Sequence, residues 1–240
     1  MGGYDLEMLE IRRILIKHSI ELYDRKLKWG AVLSSYSDVF NDDDHFVGIE
    51  LTEDVLPPKN YTRIDHHNDL IDNPSSIEQV ANLLKIKLTR RQQIISANDK
   101  GYISGMIEMG ATEKEILKIR RLDRKAQGVT EKDEKLAEFS ILHQINKVDD
   151  LIIIESQTEK FSAITDRLFP YSKLLIFREN ELVYYGEKAD VVSSFYKELV
   201  NINKAFIGGK GPGFFGLVKD AFTLEEIKKI KTEIIHLLTD

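Results

Sequence analysis

Asp65-His66-His67 sets a carboxylate and two imidazoles side by side, after the stretch Tyr61-Thr62-Arg63-Ile64 and before the polar turn Asn68-Asp69. Carboxylate oxygen and neutral imidazole nitrogen together suit a hard or borderline divalent cation without any thiolate. If 61–64 is a strand, the three side chains stand at its carboxyl end, where open α/β sheets build their ligand sites. A solvated turn would use the same residues, so the tripeptide alone leaves both readings open. Acids and histidines recur before and after it in the chain, which adds weight to the first.

The elements that must position these groups follow from periodicity and capping. Ile11 to Lys17, rich in β-branched residues, reads as a strand ending at His18-Ser19. Arg25 to Tyr36 has helical spacing, with Leu27, Ala31 and Val32 on one face and Trp29 packed within it. The acidic turn Asn41 to Asp44 precedes a second strand, Phe46 to Leu51, and Pro57-Pro58 enforces an extended turn before the third. Ser75 and Glu78 form a capping-box pattern opening a helix through Leu84, and Thr89 starts another running toward Asn98-Asp99-Lys100-Gly101. Strands alternating with helices indicate a parallel, doubly wound sheet.

Residues 112–147 are charged and helical, with a capping box at Thr112 to Glu115. Within them Arg120, Arg121, Arg124 and Lys125 read as a solvated basic face. Alternation restarts with a strand at Leu151 to Ile154, a helix at Phe161 to Phe169 and a strand at Lys173 to Phe177. Glu179-Asn180 turns into Leu182 to Tyr185, and a helix follows over Ala189 to Val200. Ala205 to Ile207 leads into Gly208-Gly209-Lys210-Gly211-Pro212-Gly213-Phe214-Phe215-Gly216, and a last helix runs from the box Thr223–Glu226 to Leu238. The expected fold is α/β. A parallel doubly wound domain (1–110) is joined by a helical connector (111–148) to a smaller C-terminal α/β domain (149–240) carrying the glycine segment.

Composition narrows the chemistry. The 240 residues, 42% hydrophobic and 31% charged, are enough to bury a sizeable core. There is no cysteine, so disulfides, thiolate metal sites and cysteine nucleophiles are excluded. A net charge of -6 argues against duplex nucleic acid as a partner. No apolar run approaches the ~18 residues of a membrane span. The first residues lack a signal-peptide pattern, so a cytoplasmic protein with no membrane partner is expected.

The order of these motifs resembles the DHH phosphoesterase superfamily, which includes RecJ-type exonucleases, oligoribonucleases, cyclic-dinucleotide phosphodiesterases and family II pyrophosphatases. Ile64-Asp65-His66-His67-Asn68 matches the third motif intact. The first motif, H-x-x-x-D-x-D, corresponds to His18-Ser19-Ile20-Glu21-Leu22-Tyr23-Asp24, with Leu22 where the middle aspartate stands. Glu50 occupies the place of the second-motif aspartate, and Asp99 that of the fourth. Gly208 to Gly216 is similar to the family's glycine-rich substrate loop, with Gly211 in place of its histidine and Phe214-Phe215 in place of a small pair.

The resemblance implies two divalent ions, usually Mn2+ and otherwise Mg2+, held by His18, Asp24, Glu50, His66 and Asp99. Leu22 leaves one of the two short of ligands. It also implies that His67 reaches toward the phosphate and that Asp65 orients an imidazole. Substrate contacts would come from Gly208, Gly209, Lys210, Gly211 and Gly213, since successive glycines let backbone N–H groups converge on an anion and Lys210 adds charge. A tight structural turn is the plain alternative for that segment, and burial the plain role of its phenylalanines. The function implied is a metal-dependent phosphoesterase acting on a nucleotide or short single-stranded oligonucleotide. The departures Leu22, Glu50 and Gly211 favour a different class, a non-catalytic nucleotide- or metal-binding sensor or scaffold of the same fold.

Overall fold

A computed structural model of the chain describes every residue except Trp29, Asn68, Asp69, Lys210, Gly211, Pro212 and Asp240. The chain divides into two compact units, Met1–Gly128 and Val129–Asp240.

The first unit opens with α1 (Leu6–Lys17), where a strand over 11–17 was expected. Asp5 caps this helix by accepting from the Met8 amide. Leu6, Met8, Ile11, Ile14 and Leu15 are buried, while Arg12, Arg13, Ile16 and Lys17 are exposed. That is a 3.6-residue stripe, and burying it outweighs the modest strand preference of three isoleucines. Among the described residues of the stretch Arg25 to Tyr36, where a helix was expected, no α-helix forms. Lys26 (φ 53°) and Gly30 (φ 80°) take left-handed backbone, and a 3-10 helix spans Leu33–Val39. Between them Leu33 donates to the Thr52 carbonyl and Thr52 to that of Ala31, so this stretch lies as an extended neighbour of the chain after β1.

Strands β1 (Phe46–Ile49) and β2 (Tyr61–Ile64) pair in parallel, with Ile49 opposite Ile64. Helices α2 (Ser76–Leu83), α3 (Arg90–Glu108) and α4 (Glu113–Ala126) start where expected, at the capping boxes of Ser75 and Thr112 and at Thr89, which forms a third box with Gln92. The core joins Met8, Ile11, Ile14 and Leu15 of α1 to Ile49, Ile64, Ile77 and Val80. α3 is kinked at Tyr102, whose φ of 55° and ψ of -143° lie where L-residues rarely go. Such a conformation costs about 1–3 kcal/mol and persists only where surrounding contacts hold it.

In the second unit, α5 (Glu131–His143) precedes β3 (Ile145–Val148) and β4 (Leu151–Glu155). There follow α6 (Ser162–Leu168), β5 (Lys173–Phe177), β6 (Leu182–Gly186), α7 (Ala189–Phe195), α8 (Lys197–Asn201), β7 (Ala205–Gly208), β8 (Phe214–Leu217) and α9 (Leu224–Thr239). The strands form one mixed sheet in the order β3-β4-β5-β6-β8-β7, with only β4–β5 parallel. Side-chain alternation covers both faces. Leu151, Ile153, Leu175 and Tyr184 pack with Ile227, Ile230 and Ile234 of α9, whereas Ile154, Leu174, Ile176 and Val183 pack with Ala137, Ala163 and Ile164 of α5 and α6. The α/β class holds, with β3 and β8 added and the helix expected over 189–200 broken at Tyr196.

Candidate metal centre

Four segments of the first unit bring acids and imidazoles together. Glu7 sits in the first turn of α1, Glu50 directly after β1, Asp65-His66-His67 directly after β2, and Asp99 within α3. The ligand atoms of Glu7, Glu50, His66 and Asp99 all lie within 4.8 Å of one another, and Glu50, His66 and His67 form a second such group. His66 Nε2 is 2.6 Å from Asp99 Oδ2, 3.7 Å from Glu7 Oε2 and 3.8 Å from Glu50 Oε1. Contacts outside the cluster fix two of these residues. Glu7 Oε1 accepts the Ile77 amide at the start of α2. Glu50 takes a left-handed φ of 51°, and its amide donates to the Ile64 carbonyl. Gly3 (φ 67°) passes so close that a Cβ there would stand 3.2 Å from Glu50 Oε2.

The inward atoms face only one another. Glu7 Oε2, Glu50 Oε1, His66 Nε2 and Asp99 Oδ2 are all buried and make no hydrogen bond of ordinary geometry, although His66 Nε2 and Asp99 Oδ2 stand 2.6 Å apart. Orphaned buried polar atoms are rare because each costs its full desolvation. Four converging on one point fit a divalent cation, whose oxygen and nitrogen ligands stand at about 2.0–2.2 Å and hence within about 4.4 Å of each other.

The electrostatics agree. Burial, then the Asp99 charge, drives the Glu7 carboxyl well up, and the same two causes raise Glu50. Asp5, the α1 cap, is pushed up to about 8 by burial and by the charges of Asp99 and Glu50. Burial would lower the His66 imidazole, but Asp99 and Glu7 against it prevail and raise it to about 10. This is a cluster of like charges that a cation would relieve.

Asp65 does a different job. One of its oxygens accepts both the His67 amide (3.0 Å) and His67 Nδ1 (2.9 Å), and the other accepts Arg63 Nη2 (2.7 Å). Burial would raise its carboxyl, but these donors hold it well below the usual range. The His67 imidazole is raised chiefly by Asp65, against its burial. The bond to Nδ1 directs Nε2 of this half-exposed ring away from Asp65.

No family model and no curated protein matches the chain. A search of solved structures matches a pGpG-specific phosphodiesterase, PggH from Vibrio cholerae, with a TM-score of 0.54 at 11% identity over 100% of this chain and 97% of that one. It also finds the DHH domain of a member of a family of ribosomal proteins, with a TM-score of 0.48 at 9% identity over 98% of this chain and 73% of that one. The chain thus shares its fold with that phosphodiesterase over its whole length.

Of the residues the resemblance points to, Glu50, His66 and Asp99 converge, and so does His67 beside them. His18 and Asp24 do not. His18 caps the exposed C-terminus of α1, and Asp24 pairs with Arg12 at 3.1 Å, so neither joins an ion-capable group among the described residues. Leu22 packs against the core of the first unit. In their place stands Glu7, with Asp5 capping the same turn. A sequence signal was there: Asp5-Leu6-Glu7 has the acid-x-acid spacing that ends the first DHH motif, at the start of a helix instead of after a strand.

In the second unit, Gly208 pairs with Phe214 across the β7–β8 hairpin, and Gly209 (φ 84°) and Gly213 (φ 70°) take left-handed turn conformations. Phe215 is fully buried and Phe214 partly so. Lys210 and Gly211 lie outside the described residues.

Proposed function

We propose that the protein is a metal-dependent phosphoesterase that hydrolyses a phosphodiester of a nucleotide or short single-stranded oligonucleotide. The observation that carries this reading is the set of four orphaned ligand atoms on Glu7, Glu50, His66 and Asp99. Mn2+ or Mg2+ held there would act as a Lewis acid on a phosphoryl oxygen and lower the pKa of an attacking water. The protein's own groups supply the rest. Glu7, Glu50, His66 and Asp99 bind the cation. Asp65 fixes the ring of His67, and the raised pKa of that ring favours a positive charge beside an incoming phosphate. Gly208, Gly209 and Gly213, with Lys210 and Gly211, are proposed to contact the substrate's anionic groups through backbone N–H.

The PggH likeness makes a linear dinucleotide the first substrate to try. The test is hydrolysis of pGpG and of bis(p-nitrophenyl) phosphate by protein stripped with chelator and reloaded with Mn2+. The reading predicts turnover that disappears in His66→Ala. Mn2+ binding with no turnover of either substrate would leave the sensor or scaffold reading in its place. For the glycine turn, Gly209→Val should weaken dinucleotide binding and leave Mn2+ affinity unchanged. Equal dinucleotide affinity in variant and wild type would reduce the segment to a structural hairpin.

A further inference from the structure

Arg120 and Asp123 belong to no motif, yet both are buried on α4, a helix that contributes nothing to the metal cluster. The basic stretch 120–125 was expected to be a solvated face, and Arg120 departs from that: it turns inward while Arg121 and Lys125 are exposed. Its Nη1 donates to Asp123 Oδ2 and to Asn98 Oδ1, both at 2.8 Å. Its guanidinium carbon lies 4.4 Å from the centre of the Tyr102 ring. Asn98 and Tyr102 flank Asp99, and Tyr102 is the strained residue of the α3 kink. Asp123 reaches the other way. Its Oδ1 accepts the Leu6 amide at 3.3 Å, from the residue between Asp5 and Glu7, and Gln127 Nε2 donates to Oδ2 at 3.1 Å.

We propose that Arg120 and Asp123 form a positioning pair that sets Glu7 and Asp99 at cation-binding distance, by clamping the start of α1 and the kink of α3 to one helix. The inference rests on the metal-centre reading above. A buried ion pair seldom stabilises a fold more than well-packed apolar residues would, so its presence calls for another reason. Convergence of four side chains from four segments supplies one. A small slide of either backbone would carry a ligand out of reach, and residues that orient metal ligands are worth about 10–100-fold in affinity. Arg120 suits this task because Nη1 donates to both Asn98 and Asp123 while the rigid, planar guanidinium lies over the Tyr102 ring, an arrangement that a flexible ammonium stem fixes less firmly.

The test uses the full chain, stripped with chelator. Mn2+ affinity is measured by calorimetry, and the Mn2+ paramagnetic resonance spectrum by EPR, for wild type, Arg120→Lys and the apolar double variant Arg120→Met/Asp123→Leu. The double variant leaves no lone buried charge, so its metal-free melt should stay cooperative. The expected result is a loss of Mn2+ affinity of about tenfold or more in the double variant and a smaller loss in Arg120→Lys, with altered spectra. If the double variant does not fold, Arg120→Lys decides on the same two readouts. Affinity and spectra equal to wild type in the folded variants would overturn the positioning role and leave the metal centre standing. A wild-type chain that takes up no Mn2+ would overturn both.

Discussion

Glu50 shows how much one side chain can decide. It stands where the resemblance expects an aspartate, at a residue with left-handed backbone directly after β1. Its buried Oε1 has no partner, so Glu50→Gln should keep the fold and weaken Mn2+ binding. The loss should be about tenfold or more by calorimetry, no less than removing a neighbour that merely orients a ligand. An unchanged affinity would remove Glu50 from the centre. The pKa shifts also fix a pH dependence for the metal-free protein. Asp5 rises from an ordinary carboxyl value to about 8, and His66 from 6.5 to about 10, so the folded state holds more protons than the unfolded one across both intervals. These two groups make stability fall as pH rises from about 4 to 8 through Asp5 and on toward 10 through His66, opposed between about 6 and 8 by the buried Met1 amino group, which is lowered from 8.0 to about 6. Excess Mn2+ should flatten that slope, because a cation replaces the protons. Thermal melts at several pH values, with and without Mn2+, check this, and a metal-free stability that climbs from about pH 5 to 9 would contradict it. His66, Glu50 and Asp99 were legible from sequence because they follow strand and helix patterns in a recognisable order. Glu7 was not, because it lies on a helix, whereas the first motif follows a strand.

The strand expected over 11–17 is the main correction at the level of elements. Three isoleucines within 11–17 suggested β structure, but the burial pattern follows the helical period. In a strand Ile14 and Ile16 would share a face, whereas in α1 Ile14 is 4% exposed and Ile16 53%. Ile14→Ala should therefore cost about 2–5 kcal/mol, and Ile16→Ala should change stability by no more than about 0.5 kcal/mol. Equal costs in urea unfolding would restore the strand. The elements read correctly carry local signals that tertiary contacts do not override: capping boxes at Ser75, Thr89 and Thr112, and the short apolar runs of β4 and β5. β3 and β8 were missed for opposite reasons. Ile145-Asn146-Lys147-Val148 is a polar edge strand with little apolar pattern, and Phe214 to Leu217 was absorbed into the glycine segment.

Over the whole molecule, two compact units each hold their own core. The six-stranded sheet of the second unit is covered on both faces by its own helices, so residues 129–240 expressed alone should unfold cooperatively on heating. A broad, non-cooperative melt would show that the unit depends on the rest of the chain. The candidate metal centre lies in the first unit, where the start of α1, the ends of β1 and β2 and the middle of α3 meet. The central claim is that Glu7, Glu50, His66 and Asp99 share one divalent cation. The most direct measurement is anomalous diffraction at the manganese absorption edge from crystals of the full chain soaked in Mn2+. The account predicts a peak at about 2.0–2.2 Å from side-chain atoms of all four residues. A peak coordinated instead by His18 and Asp24, or no peak among the four, would contradict it.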